Sequence, residues 1–335
     1  MLDIGVVGAG AMGADHVRTL LAHVPCARVR AVYDAATRPA EELARLAGAR
    51  VAASGEELIG RDDVDAVIIA SPDATHVPLT LAAIVAGKPV LCEKPLGTGP
   101  AESARVVAAE VAAGRRLVSV GFMRRFDPAY RALRRAVRDG VVGEPLLVHN
   151  VHRNAHPHPD ATSEGVVANS MVHELDTLPW LLGSPVVEVH VRSPRGAGLE
   201  GAGLRDPQLA TVELASGVLA TIEVFLSAGY GYDVRCEVVG DRGAVSLGAP
   251  GHLTVAADGL TGAPVPADFR ARFAEAYRDE LVAWVDAAGR CGAVGASAWD
   301  GHRANLAAAA GVASLRGGGP VRVDDGDRAV PAIYG

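Results

Sequence analysis

No run of eighteen or more apolar residues occurs in the chain, because its alanine-rich stretches are broken by Arg, Glu and Gly, and a membrane-spanning helix is therefore not expected. Basic charge is also scarce: 32 Lys and Arg stand against 39 Asp and Glu, for a net charge of -7. No basic cluster beyond local helix faces such as 131–138 offers a field for a phosphate backbone, which argues against nucleic acid as a partner. The four cysteines, Cys26, Cys92, Cys236 and Cys291, lie far apart with no CxxC pair. That spacing suggests neither zinc nor a disulfide framework, and they read as small buried residues in a reducing compartment. The opening Met1-Leu2-Asp3-Ile4-Gly5-Val6-Val7 lacks the basic start and long apolar core of a signal peptide. A soluble, cytoplasmic protein is expected.

What is present is enough chain for two domains: 335 residues against a soft prior of roughly 150 per domain. In the first third, short apolar runs at 4–7, 29–33, 66–70, 90–92 and 117–120 alternate with helical patterns. This is the rhythm of βαβ units, and the runs are apolar throughout, as in parallel strands covered on both faces. After Gly121 the texture changes to a basic amphipathic helix over 129–139 and alternating strands over 208–214, 218–226, 234–239 and 244–247. Ser216-Gly217 and Asp241-Arg242-Gly243 are hairpin signals between them. Helical periodicity returns over 269–288 and 298–315, and a short strand follows the Gly-Gly-Gly-Pro break. The glycine-rich segment 193–203 reads as a loop. The expected fold is α/β: a doubly wound parallel Rossmann sheet over 1–122, then an α+β domain with a large, mostly antiparallel open sheet over 123–335.

Gly8-Ala9-Gly10-Ala11-Met12-Gly13 has GxGxxG spacing between a strand and a helix. The first glycine serves the tight turn, the second lets a pyrophosphate approach the backbone, and the third packs helix on strand, so that the amides at Ala11 and Met12 face the phosphates. Alone the motif is weak, and a flavin or nucleotide-sugar domain shares it. Asp34, closing the second strand about twenty residues after Gly13, adds a carboxylate where ribose hydroxyls bind and a 2′-phosphate would be repelled, which favours NAD over NADP. Arg38, nearby, keeps NADP open.

At Cys92-Glu93-Lys94-Pro95 the sequence begins to resemble the glucose-fructose oxidoreductase and inositol dehydrogenase family (Gfo/Idh/MocA). Ser71-Pro72 followed by His76, the string from Gly121 to Asp127, His152-Arg153-Asn154, His173-Glu174-Leu175-Asp176, Asp206-Pro207-Gln208 and Tyr230-Gly231-Tyr232-Asp233 are similar to its bacterial inositol 2-dehydrogenase branch. The resemblance implies an NAD-dependent oxidation of a cyclitol hydroxyl to a ketone, in inositol catabolism, by a homotetramer or dimer built on the second sheet. It implies that Ser71, Pro72, His76, Glu93 and Lys94 lie at the cofactor and that Lys94 stands near the reacting hydroxyl. It further implies that His173 accepts the proton while hydride passes to nicotinamide C4, and that Arg124, His152, Asn154 and Tyr232 bind ring hydroxyls.

The residue chemistry is compatible with those roles. Alcohol oxidation needs a base near its pKa at operating pH, which histidine supplies, and an ammonium at the carboxyl end of a strand stabilises a developing alkoxide. Without the resemblance, His173 reads as structural and Lys94 as a solvated loop lysine. Asn169 stands where these dehydrogenases usually carry an aspartate; on a helix it shares a face with His173, where it can share a substrate hydroxyl but cannot stabilise an imidazolium by charge. The change leaves scyllo-inositol, an aminocyclitol or a hexose as alternative substrates, and a non-catalytic NAD-binding sensor as an alternative of another class. The histidines of 149–158 do not suggest a shared metal, since alternation puts His149 and His152 on opposite strand faces. Tyr277 reads equally as a cleft, core or interface residue, and Trp180 and Trp284 as core.

Overall fold

A computed structural model describes residues 1–195, 204–248, 255–257, 260–324 and 329–335. The chain divides into two compact units: Met1–Phe126, Glu275–Asn305 and Gly326–Gly335 in the first, Asp127–Ala274 and Leu306–Asp325 in the second.

In the first unit six strands, β1 (Leu2–Val7), β2 (Ala27–Tyr33), β3 (Arg50–Val51), β4 (Ala66–Ile69), β5 (Val90–Cys92) and β6 (Val118–Val120), form a parallel sheet in the order β3-β2-β1-β4-β5-β6. The order reverses between β1 and β4, which places the ends of these two strands at the switch point where doubly wound sheets bind ligands, with the end of β5 next to β4. The strand positions read from apolar runs hold because helices bury them: Ile4, Val6, Ala66, Val67, Ile68, Ile69 and Val90 are all inaccessible to solvent. The crossovers are α1 (Ala11–His23), α2 (Thr37–Ala47), α3 (Gly55–Gly60), α4 (His76–Val85) and α5 (Pro100–Ala113). Where each helix begins follows from local chemistry. Ser54 caps α3 by accepting from the Glu57 amide at 3.0 Å, and Pro100 opens α5 where a missing N–H costs nothing. Residues 275–305 return to this unit, and their Leu281, Trp284, Val285 and Ala288 complete a core with Ile4, Val17, Leu20 and Val29.

The second unit contains α6 (Pro128–Arg138), β7 (Pro145–Arg153), α7 (Ser163–Gly165), α8 (Val172–Leu182), β8 (Val186–Arg192), β9 (Gln208–Leu214), β10 (Leu219–Phe225), β11 (Asp233–Gly240) and β12 (Ala244–Ser246). A small hairpin, β13 (Val255–Ala257) and β14 (Leu260–Gly262), follows. Next come α9 (Phe269–Ala288), α10 (Ala298–Gly317) and β15 (Val321–Arg322), the two long helices each passing from one unit's residues to the other's. The seven-stranded sheet runs β12-β11-β7-β10-β9-β8-β15, antiparallel throughout except for the β7–β10 pair. Antiparallel pairs flank both hairpin signals, β9 with β10 and β11 with β12, and β9 alternates strictly between buried and exposed positions, so one face of the sheet is packed and the other open.

Three expectations need amendment. Cys26 and Cys291 are exposed, and only Cys92 and Cys236 are the small buried residues expected of all four. Trp284 is core, whereas Trp180 is half-buried, with the Arg134 guanidinium 4.6 Å from its ring centroid. Asn169 lies not on a regular α-helix but in a π-helical stretch, Val166–Met171, that leads into α8. Of the loop expected over 193–203, residues 193–195 carry no helix or strand and the remainder lies outside the described residues. Among the described residues no helix is long and apolar enough to cross a membrane, and no three His, Cys, Asp or Glu side chains cluster as metal ligands would.

Candidate active site

The glycine motif folds into a cradle. Gly8 has φ +104, and a Cβ there would strike the Ala70 carbonyl and the Ser71 nitrogen; a Cβ on Gly13 would strike the Gly8 carbonyl. These two positions tolerate no side chain because the turn, the first turn of α1 and the end of β4 are pressed together. Gly10, by contrast, has open space where its Cβ would be, at the N-terminus of α1, where the backbone is accessible to a phosphate. Asp34 leaves β2 beside this turn. Its Oδ2 accepts the Ala9 amide at 2.7 Å and its Oδ1 accepts the Ala36 amide at 2.8 Å, so two backbone donors orient the carboxylate. Arg38 points elsewhere, to Glu42 at 2.8 Å on the exposed side of α2.

At the ends of β4 and β5 the structure assembles Ser71, Pro72, His76, Glu93 and Lys94. Ser71 Oγ and Thr75 Oγ1 are 2.6 Å apart. The buried His76 ring lies 2.7 Å from the Pro95 carbonyl through Nδ1 and 2.9 Å from the Ser71 carbonyl through Nε2. Glu93, also buried, meets His16 Nε2 through Oε1 at 2.7 Å. Burial by itself would raise the Glu93 carboxyl, but the His16 hydrogen bond and charge, followed by the charges of Lys94 and His76, hold it below the ordinary carboxylate range. Glu280, on α9, has the opposite balance. It is buried, neither oxygen has a hydrogen-bond partner among the described residues, and burial plus the Glu93 charge push its carboxyl well above the usual range. Tyr277, one turn before it, is buried with its ring 6.0 Å from that of His16. Arg124 is buried in the short turn Met123–Phe126 after β6.

The second unit gathers His152, Tyr232, His173 and Glu174. His152 projects from the packed face of β7; its ring centroid is 6.2 Å from that of His173 on α8 and 5.7 Å from that of Tyr232 just before β11. Glu174 approaches His152 Nδ1 at 3.3 Å, and the Tyr232 hydroxyl approaches Nε2 at 3.5 Å. Phe269 and Phe273 pack edge-on to Tyr232, at 6.4 and 6.1 Å between centroids, and wall the cluster with apolar surface. Asn154, at the end of β7, keeps its Oδ1 buried without a hydrogen-bond partner among the described residues, an acceptor available to a hydroxyl. Asn169 is exposed, unlike His173. His149 turns to the open face, 3.0 Å from Thr221 Oγ1, as alternation required.

Three residues of these clusters were not singled out from sequence. Glu174 was legible only as the neighbour of His173. His16 lies three residues past Gly13, and nothing local marks its partner Glu93, 77 positions away. Glu280 sits in an ordinary helical pattern whose environment is supplied entirely by distant segments.

A glycine cradle at the switch point of a doubly wound sheet, with an oriented carboxylate at the end of the second strand, defines a dinucleotide-binding oxidoreductase fold. Residues 2–122 match the oxidoreductase family with an NAD-binding Rossmann fold, and residues 130–246 match the GFO/IDH/MocA C-terminal domain. The chain is 51% identical over 334 residues to inositol 2-dehydrogenase 1 of Saccharopolyspora erythraea, covering 99% of this chain and 98% of that protein. It is 41% identical to inositol 2-dehydrogenase of Klebsiella pneumoniae, covering 96% of each. Its fold matches the crystal structure of myo-inositol dehydrogenase from Lactobacillus casei in complex with NAD(H) and myo-inositol at a TM-score of 0.95, with 31% identity and 100% coverage of both chains. The scyllo-inositol dehydrogenase of the same organism, with bound NAD(H) and scyllo-inositol, matches at 0.90 with 25% identity, covering 97% of this chain and 100% of that one. The chain belongs to the Gfo/Idh/MocA family and is an NAD-dependent dehydrogenase.

Proposed function

We propose that the protein oxidises one secondary hydroxyl of an inositol ring to a ketone. The observation that carries this reading is the buried cluster of His152, His173, Tyr232 and Glu174, polar groups walled by Phe269 and Phe273, in a chain whose relatives are inositol dehydrogenases. A polyol offers many hydroxyls and little apolar surface, so a site for it needs donors and acceptors, which His152, Tyr232 and Asn154 offer in the second unit, and to which the resemblance adds Arg124.

The cradle of Gly8, Gly10 and Gly13 and the Asp34 carboxylate fit NAD. Gly10, Ala11 and Met12 present the backbone to the pyrophosphate, Asp34 accepts from the ribose hydroxyls, and Ser71, Pro72, His76, Glu93 and Lys94 line the nicotinamide end. Bound NAD supplies the hydride acceptor at nicotinamide C4. His173 takes the hydroxyl proton as general base, with Thr177 Oγ1 donating to its carbonyl at 2.6 Å to fix the turn that bears it. Lys94 offsets the negative charge that grows on the substrate oxygen. The same reading makes the protein a cytoplasmic homo-oligomer, tetramer or dimer, joined through the open face of the seven-stranded sheet, where Leu147, Leu209 and Leu219 are exposed at 40%, 46% and 52%.

Asn169 favours a second substrate within the same chemistry, scyllo-inositol, an aminocyclitol or a hexose, because an exposed amide replaces the carboxylate usual in this branch. NADH formation followed by absorbance, with NAD or NADP against myo-, scyllo- and chiro-inositol, glucose and an aminocyclitol, tests both readings. Turnover of an inositol with NAD, abolished in His173→Ala, is the expected result. NAD binding without turnover of any polyol would sink the proposal in favour of a cofactor sensor.

A further inference from the structure

A carbonyl oxygen can only accept a hydrogen bond, and neutral imidazole carries one N–H and one lone-pair nitrogen. The buried His76 ring faces two carbonyls at hydrogen-bond distance, Pro95 at Nδ1 and Ser71 at Nε2, 2.7 and 2.9 Å away. Both contacts are satisfied only when both nitrogens carry protons. Deprotonation would turn one contact into two opposed lone pairs inside the protein, and no rotation of the ring about its own axis restores it.

We propose that His76 is a fixed imidazolium that clasps the loop after β4 to the loop after β5, a positioning residue that sets the place of Lys94. The inference rests on the reading of Lys94 as the residue beside the reacting hydroxyl. The two loops it joins are the two that matter. Ser71 adjoins the end of β4 against which Gly8 is packed, and Pro95 directly follows Lys94. One ring therefore ties the phosphate-binding turn, through Ala70 and Ser71, to the lysine. Carboxylates around it support the charge: Asp73 from the short turn 73–75, and Glu93 after β5, whose own carboxyl is lowered by His76. Burial works against the imidazolium, but Cys92, the Pro95 carbonyl and Asp73 outweigh it and lift the ring to about 10.

Neutron diffraction from crystals of the wild-type protein grown near pD 8 tests the protonation directly, without reference to any substrate. Deuterium on both Nδ1 and Nε2 of His76 is the expected map; deuterium on one nitrogen alone overturns the inference. Kinetics test the positioning role. His76→Gln reaches one carbonyl at most, and loss of a charge-assisted hydrogen bond corresponds to about a tenfold or larger fall in kcat/KM. Because the role runs through Lys94, His76→Gln should cost little further in a Lys94→Ala background. Equal losses in both backgrounds would mean that the ring acts on general folding and would overturn the positioning role. Failure of every polyol to turn over would strike the proposed function while the neutron map still decides the state of His76.

Discussion

Replacing Glu280 by glutamine should stabilise the first unit, and by more as the pH rises. In the folded protein its carboxyl is buried, has no hydrogen-bond partner among the described residues, and feels the charge of the Glu93 carboxylate. All of this favours the neutral acid. In the unfolded chain the same carboxyl ionises near pH 4.3. The folded state therefore binds one proton more than the unfolded state above that pH, and stability falls with rising pH by about 1.4 kcal/mol per unit while the acid stays neutral. Glutamine keeps the shape and cannot ionise, so it carries no such slope. For each pH unit above 6 over which the buried acid stays neutral, the stability gap between Glu280→Gln and wild type should widen by about 1.4 kcal/mol, which for a unit of this size corresponds to about 3–6 °C in unfolding midpoint. Calorimetry of both proteins at pH 6, 7 and 8 measures it. A gap that stays constant over those pH values would refute the reasoning, since it would mean that the carboxyl is ionised in the fold as well.

Other outcomes follow from the site. Gly13→Ala places a methyl against the Gly8 carbonyl and should weaken NADH binding tenfold or more, read by fluorescence titration; an unchanged Kd would show that the turn has room to relax. Asp34→Asn should lower kcat/KM with NAD by roughly tenfold and narrow its preference over NADP, because one charged acceptor oriented by the Ala9 and Ala36 amides is lost. Retention of the full preference would move cofactor selection to another group. Asn169→Asp should keep the fold and shift the pH–rate profile to higher pH, as a carboxylate favours protonated His173 and its loss of the proton is delayed. An unmoved profile would place Asn169, exposed in its π-helical turn, outside the proton path.

The two sheets and their covering helices were legible because hydrophobic period is a local property. The apolar runs at β1, β4 and β5, the alternation of β9 and the two hairpin turns were all readable within ten residues. Less was visible where the pattern is short or mixed: β3 has two residues, and the π-helical stretch before α8 shares its composition with an α-helix, so Asn169 was placed on a regular face it does not occupy. The return of residues 275–305 to the first unit left no mark either, since a helix with one apolar stripe does not say which core the stripe enters.

The candidate site divides the same way. Gly8, Gly10, Gly13 and Asp34 carry a spacing that is itself the geometry, because a tight turn and the end of the next strand are fixed by short-range backbone sterics. His76, Glu93, His152 and Tyr232 could be named by likeness, but their partners could not. The pairing of Glu93 with His16, of His152 with Glu174 and Tyr232, and of one imidazole with the carbonyls of both Ser71 and Pro95 joins segments far apart along the chain. Charge state in a buried site is set by whatever surrounds the group in space. The sequence by itself therefore determined the fold class, the cofactor turn and the residue types available for catalysis. Only the tertiary structure decided which of them are charged, which are neutral, and what each one holds in place.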